Sequence, residues 1–240
     1  MPIELGLGLV WYAVFVISTT FHEAAHGLAA WKLGDPTARE AGLVTLDPVP
    51  HLHRSPIGMI VVPIVAFLTS ITTGGGWMIG WASTPYDPYW AQAHRKKAAW
   101  MALSGPAANL ALILLAAAII RIGMLLGLFA APLESTWTQI TVARSPGLIS
   151  SAAIVISVLF SLNLILLVFN LLPLPPLDGS EIVMLFLSDR TADRYREFVA
   201  QPAAGLIGLV VAWNLIGVLL GPAQTLALNL LYPGAGYGHQ

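Results

Sequence analysis

Residues 10–34 read VWYAVFVISTTFHEAAHGLAAWKLG, an apolar run interrupted by His22, Glu23 and His26. A helix that spans a bilayer needs about 20 predominantly apolar residues. Lys32 followed by Gly34 is typical of a helix end, where a cation and then a glycine are favoured. The stretch therefore predicts a membrane helix over residues 3–33 that carries ionisable side chains inside the apolar layer.

The rest of the chain has the composition of a membrane protein. Of its 240 residues 57% are hydrophobic and 10% are charged, and the mean hydropathy is +0.77, whereas soluble domains carry about 25% charged residues. Further apolar segments lie at residues 57–73, 97–131, 148–171 and 203–231. We expect an all-α polytopic membrane protein with about four to six transmembrane helices, and we treat residues 1–240 as a single membrane-embedded domain.

Charge and cysteine content exclude several kinds of protein. The formal net charge is −1, so no basic field favours binding to nucleic acid. Cysteine is absent, which excludes a disulfide framework and a thiolate metal site. The partners we expect are the lipid bilayer and other membrane proteins.

The distribution of lysine and arginine predicts the topology, because cytoplasmic loops are enriched in these residues. If residues 57–73 cross the bilayer, five of the 11 cations face one side and six face the other. If this segment enters and returns, nine share a side and only Arg121 and Arg144 lie opposite. The bias favours a re-entrant segment with the N-terminus outside.

The most specific motif is His22-Glu23-Ala24-Ala25-His26. Two histidines at positions i and i+4 share one helix face, so both imidazoles can reach one ion, and the adjacent glutamate can activate a water. This pattern predicts a hydrolytic zinc site, with one zinc ion per chain and an open position for the nucleophile. A chance HExxH is the alternative, but ionisable residues in a spanning segment are costly and usually functional.

Asp178 is the best candidate for the third ligand. It follows an apolar span and three prolines and precedes Gly179, so extended backbone can present its carboxylate toward the bilayer interior. A helix N-cap is the alternative, since Asp is favoured there. The re-entrant topology decides for the metal, because it brings the end of residues 148–171 to the same side as the histidines.

At this point the residues resemble a known family. His22–His26, the segment Ser104–Asn109 (SGPAAN) and the segment Asn170–Gly179 (NLLPLPPLDG) are similar, in order, to the site-2 protease family. The resemblance covers residues 10–200 and is strongest to the compact prokaryotic branch, which has no PDZ or CBS domain. Residues 47–56 and 83–88 depart from the pattern of that branch, which leaves substrate specificity open.

The resemblance implies a zinc endopeptidase that cuts transmembrane segments of other proteins in a prokaryotic inner membrane. It implies that His22, His26 and Asp178 bind zinc and that Glu23 is the general base. It also implies that Asn170 orients substrate or stabilises the oxyanion, although an asparagine there can equally cap the helix end. Strand-like pieces at residues 43–46 and 77–84 are expected to pair with an unwound substrate.

Two other functional classes use similar residues. A metal transporter also places His and Glu at helical spacing in the membrane, but it needs a second ligand-bearing helix, and no other predicted span contains a histidine. An inactive relative could serve as a membrane binding module. The intact Glu23 and the complete ligand set favour the enzyme.

Overall fold

The computed structural model describes residues 2–72 and 78–238. Its long helices are α1 (Pro2–Leu33), α6 (Arg95–Leu125), α7 (Leu148–Asn170) and α10 (Pro202–Leu231). The shorter ones are α2 (Thr37–Glu40), α3 (Pro48–Arg54), α4 (Val62–Thr72), α5 (Pro88–Ala93), α8 (Asp178–Ile182) and α9 (Asp189–Val199). A π-helical turn at Ile57–Val61 leads into α4, and a 3₁₀ turn at Val183–Leu185 follows α8.

Four helices within the described residues are long and apolar enough to cross a membrane. They are Leu5–Leu33, Arg95–Leu125, Leu148–Asn170 and Ala203–Leu231. The prediction of an all-α polytopic membrane protein is confirmed. The third apolar segment ends earlier than the predicted residue 131, because Gly127 has a φ of +72° and turns the chain. Phe129–Ala130 (β1) then pairs antiparallel with Val142–Ala143 (β2).

The segment between α3 and α5 enters the helical layer and returns. The chain bends by 109° between α3 and the helix that starts at Ile57, and that helix runs back along α1 until the Phe67 ring fills the space beside Gly8. After residue 77 the chain returns beside its own entry: the Trp81 N–H donates to the Gly58 carbonyl at 3.0 Å. These contacts are those that a re-entrant segment would make, and the position of the segment relative to the bilayer stays a prediction.

The strand predicted at residues 43–46 is wrong. These residues form bends between α2 and α3, and local turns use their backbone groups: the Leu43 N–H donates to the Ala38 carbonyl at 2.9 Å. Residues 78–84 of the second predicted strand form neither a helix nor a strand in the described part of the chain, while residue 77 lies outside it. A short run with strand propensity forms no strand unless a partner lies alongside.

Helix α6 packs between α1 and α7 and therefore positions the centre of the molecule. Its first turn lies against the last turn of α1, where Lys97 Nζ donates to the Leu33 carbonyl at 3.0 Å. Helix α10 packs on α7. At the opposite end of α6, Arg121 donates to the Leu231 carbonyl at 3.2 Å. Lys97 and Arg121 thus lie at opposite ends of the bundle, and the distribution of lysine and arginine predicts that they face opposite sides of the membrane.

Candidate metal centre

The two histidines of α1 lie on the helix face that points into the bundle. His22 and His26 are 7% and 8% exposed, and Glu23 is 6% exposed. One helical turn separates the rings, and their Nε2 atoms are 3.0 Å apart. The i, i+4 spacing therefore brings both imidazoles to one point, as the sequence predicts.

Asp178 reaches the same point from the first turn of α8. Its Oδ2 lies 3.1 Å from His22 Nε2 and its Oδ1 lies 3.3 Å from His26 Nε2. The backbone approaches closely because Gly179 has no side chain, and a Cβ there would meet the Leu172 carbonyl. Ligand atoms of His22, His26 and Asp178 lie within 4.8 Å of one another.

The N-cap alternative for Asp178 is not supported by the local geometry. Helix α8 begins at Asp178, its N-cap is Leu177, and no side chain caps it. Asp178 Oδ2 is buried and has no hydrogen-bond partner among the described residues. A buried carboxylate oxygen without a hydrogen bond is costly unless a cation or proton faces it.

Both imidazoles are held from behind by oxygen acceptors. His22 Nδ1 lies 2.7 Å from Asn109 Oδ1, and His26 Nδ1 lies 2.8 Å from the Met101 carbonyl oxygen. Oxygen atoms of this kind only accept, so each Nδ1 carries the hydrogen, and Nε2 is the ring nitrogen left to bind at the centre. This arrangement of a ring donor to an oxygen is the usual support of a metal-binding histidine.

These residues fit a metal ion. Two Nε2 lone pairs 3.0 Å apart repel each other unless a cation or a proton lies between them, and Asp178 Oδ2 lies 3.1 Å from one of them with no hydrogen-bond partner among the described residues. Gly105 of α6 leaves space there, because a Cβ on it would collide with His26 Nε2 and lie 2.6 Å from His22 Nε2. Two imidazole nitrogens and one carboxylate, with the fourth position left open, are a ligand set of catalytic zinc sites.

Glu23 lies beside His22 and next to the returning chain. Its carbonyl accepts a hydrogen bond of 2.9 Å from Thr84 Oγ1. Arg54 contacts the residue before Thr84: its Nε donates to the Ser83 carbonyl at 2.9 Å. The re-entrant segment therefore passes alongside the HExxH motif, although its residues are about 60 positions away in sequence.

Asn170 is the last residue of α7, and its amide points back along that helix. Its Nδ2 donates to the Leu166 carbonyl at 3.0 Å. This bond agrees with the capping alternative for Asn170. The oxyanion role stays a prediction.

The remaining histidines with described side chains do not join the cluster. His51 is buried, and its Nε2 lies 3.1 Å from the Thr45 carbonyl oxygen, which ties α3 to the preceding loop. Among the described residues, His22, His26 and Asp178 are the one group of His, Cys, Asp and Glu side chains close enough to hold an ion.

The sequence did not predict two of the groups that support the histidines, the Met101 carbonyl and Asn163. The Met101 carbonyl has no sequence signal, because any residue could supply it. Asn163, which is 0% exposed and contacts Asn109, did have one: it is an amide in the middle of the apolar run SLNLILLV. Polar side chains at such positions are rare and usually have a partner.

The comparison with protein families agrees with this geometry. Residues 10–214 match the family model described as Peptidase family M50. The chain belongs to this family, the site-2 protease family. It is a multi-pass membrane metalloprotease, and zinc is the metal that the family implies for the group formed by His22, His26 and Asp178.

Curated relatives carry names that agree. "Putative zinc metalloprotease YwhC" of Bacillus subtilis (strain 168) is 34% identical over 181 residues, which are 74% of this chain and 69% of that one. "Putative zinc metalloprotease Rip2" of Mycolicibacterium smegmatis is 31% identical over 175 residues, 73% of this chain and 56% of that one. The chain thus spans little more than half the length of Rip2. No solved structure matches the chain.

Proposed function

We propose that this protein is an intramembrane endopeptidase that hydrolyses peptide bonds within or near transmembrane segments of other membrane proteins. One observation carries the proposal: His22 and His26 of the membrane helix α1 converge with Asp178 of α8, and the buried Glu23 lies next to the first ligand. A site in that position can meet a peptide bond that is itself embedded in the bilayer.

In this proposal His22, His26 and Asp178 hold one zinc ion. When bound, zinc polarises the substrate carbonyl and lowers the pKa of the attacking water. Glu23 is the general base: its carboxylate takes a proton from the water and later passes it to the leaving amine. Asn170 is the proposed amide donor that orients the substrate or stabilises the developing oxyanion.

The segment that follows residue 77 lies beside the HExxH motif, where it can bind the substrate. A helical substrate hides its amide groups in i to i−4 bonds, so it must unwind before hydrolysis. Residues 78–84 form neither a helix nor a strand in the described part of the chain and are anchored to Glu23 through Thr84. An unwound substrate can pair with this segment through main-chain hydrogen bonds.

We further propose that the site lies nearer the cytoplasmic side of a prokaryotic inner membrane. In the re-entrant topology, nine of the 11 lysines and arginines lie on the side of the membrane where α1 ends. The centre of the HExxH motif is about 12 Å along the helix from Lys32. Water and the products can exchange over that distance without crossing the whole bilayer.

The test uses purified protein in detergent or liposomes, with zinc content and cleavage of a single-span substrate measured together. Wild type and Glu23→Gln should both hold about one zinc, and only wild type should cleave. Glu134→Gln is the matched control, because Glu134 is exposed in a loop after α6, and it should behave as wild type. Cleavage by Glu23→Gln would remove Glu23 from the chemistry.

The same preparation distinguishes the other functional classes. Zinc flux into liposomes without proteolysis would indicate a transporter. Zinc in wild type without cleavage of either an intact or a pre-trimmed substrate would indicate a binding module. Folded wild-type protein that holds no zinc would contradict the metal centre itself.

A further inference from the structure

A chain of hydrogen bonds runs from His22 into the centre of the helical bundle. His22 Nδ1 lies 2.7 Å from Asn109 Oδ1 on α6, and Asn109 Nδ2 donates to Asn163 Oδ1 on α7 at 2.9 Å. Asn163 Nδ2 donates in turn to the Leu159 carbonyl at 2.8 Å and to Ser18 Oγ on α1 at 2.9 Å. We call Asn109, Asn163 and the Leu159 carbonyl the asparagine relay.

The Leu159 carbonyl, at the end of the asparagine relay farthest from His22, determines which atom donates in each hydrogen bond of the relay. The Leu159 carbonyl only accepts, so the Asn163 edge that faces it must be the NH₂ group. The Asn163 oxygen therefore faces Asn109, and the Asn109 NH₂ group must donate to it. That leaves the Asn109 oxygen toward His22, which can then contact it only through a protonated Nδ1.

We infer that Asn109 and Asn163 are positioning residues that set the tautomer and ring orientation of His22, so that its Nε2 lone pair points at the metal centre. The inference rests on the metal ligands proposed above. An asparagine amide can rotate by a half-turn if no hydrogen bond fixes which end is the oxygen. A flipped Asn109 would present its NH₂ group to His22. The buried backbone carbonyl of Leu159 prevents the flip through Asn163, a residue that does not touch the histidine.

The second histidine provides an internal comparison. His26 Nδ1 faces the Met101 carbonyl directly, at 2.8 Å, so its tautomer is set by backbone. The Ser104 hydroxyl is farther from His26 Nδ1, at 3.5 Å, whereas the contact of His22 Nδ1 is to a side chain that can be exchanged. Asn109, Asn163 and Ser18 are each 0% exposed, so water cannot replace a lost member of the asparagine relay without entering the bundle.

The experiment measures zinc affinity by chelator competition in Asn109→Leu, Asn163→Leu and Asn109→Asp. Both leucine variants should bind zinc about 10–100-fold more weakly than wild type, as expected when the outer partner of a metal-binding histidine is lost. Asn109→Asp should retain most of the affinity, because a carboxylate oxygen still accepts from Nδ1–H. The double leucine variant should lose less than the product of the single effects, since the two residues act in series.

Asn214→Leu is the matched control. Asn214 also lies in an apolar helix, but its Nδ2 donates to the Val210 carbonyl of the same helix at 2.7 Å, so its removal should leave zinc affinity unchanged. Equal zinc affinities for folded Asn109→Leu and Asn214→Leu would overturn the inference.

A measurement on wild type tests the inference without any substitution. In ¹⁵N-histidine-labelled protein, before and after chelation, Nδ1 of His22 should carry the hydrogen in both states. Metal on Nδ1, or an Nδ1 of His22 that carries no hydrogen in the zinc-loaded protein, would overturn the inference. Failure of wild type to bind zinc would instead contradict the proposed function, so the two failures are distinguishable.

Discussion

Gly105 of α6 faces His26 of α1 so closely that a single methyl group on it would collide with His26 Nε2 and lie 2.6 Å from His22 Nε2. The helical geometry of α6 does not need a glycine at this point, since an alanine there would favour the helix by about 0.5–1 kcal/mol. The absence of a side chain at residue 105 keeps the open side of the metal centre accessible.

Gly105→Ala should therefore weaken zinc binding and abolish proteolysis, because the added methyl group forces the imidazoles away from the positions that bind the ion. The control is Gly217→Ala in α10, where a Cβ meets no atom within 4 Å; it should retain zinc and activity. Zinc affinity and the rate of substrate cleavage are measured for both variants. Normal activity of Gly105→Ala would show that the site has more room than this geometry allows.

Asp178→Asn should lower zinc affinity more than the roughly 10–100-fold that loss of an outer hydrogen-bond partner costs. The physical reason is that the carboxylate contacts both Nε2 atoms and has a buried oxygen without another partner. Asp193→Asn, on the polar helix α9, is the charge-matched control. Zinc content by elemental analysis is the measurement, and full occupancy in Asp178→Asn would return Asp178 to a structural role.

Thr84→Val should slow substrate cleavage without lowering zinc content. The substitution keeps the shape of the side chain but removes the hydroxyl that donates to the Glu23 carbonyl. A net hydrogen bond of this kind is worth about 1 kcal/mol, which corresponds to about fivefold in rate if it holds the segment in place for the substrate. Thr84→Ser should retain the rate. Identical kinetics for the valine and serine variants would show that the bond does not position the segment.

Asp35 should stabilise the re-entrant segment in a pH-dependent way. Burial alone would raise the pKa of Asp35, but hydrogen bonds from the Thr37 side chain, the Thr37 N–H and the Asp87 N–H outweigh it and lower the pKa below the ordinary 3.8. A depressed folded-state pKa contributes stability above the unfolded pKa, and that contribution is lost as pH falls through the folded value.

Asp35→Asn should thus melt at a lower temperature than wild type at neutral pH, and the difference should shrink below the ordinary pKa of 3.8. Thermal unfolding in detergent at several pH values gives the measurement. Asp193→Asn serves again as the control. A melting difference that stays constant into the acid range would show that the charge of Asp35 is not what ties the loop to α5.

Local features of the sequence determined much of the architecture. The four spanning helices follow from apolar length, and the pairing of His22 with His26 follows from helical periodicity, both of which need only neighbouring residues. The re-entrant topology followed from the unequal distribution of cations, an effect of the membrane surface and not of packing. The metal site was therefore predictable once Asp178 had been placed on the correct side.

Contacts between distant segments were decided by the tertiary structure alone. The strand predicted at residues 43–46 fails because a strand needs a partner beside it, and local turns take its backbone groups instead. The position of Asn163 behind Asn109 and of Gly105 over the histidines depends on how α6 packs between α1 and α7. Periodicity shows which residues share a helix face, but only the packing of whole helices decides what that face meets.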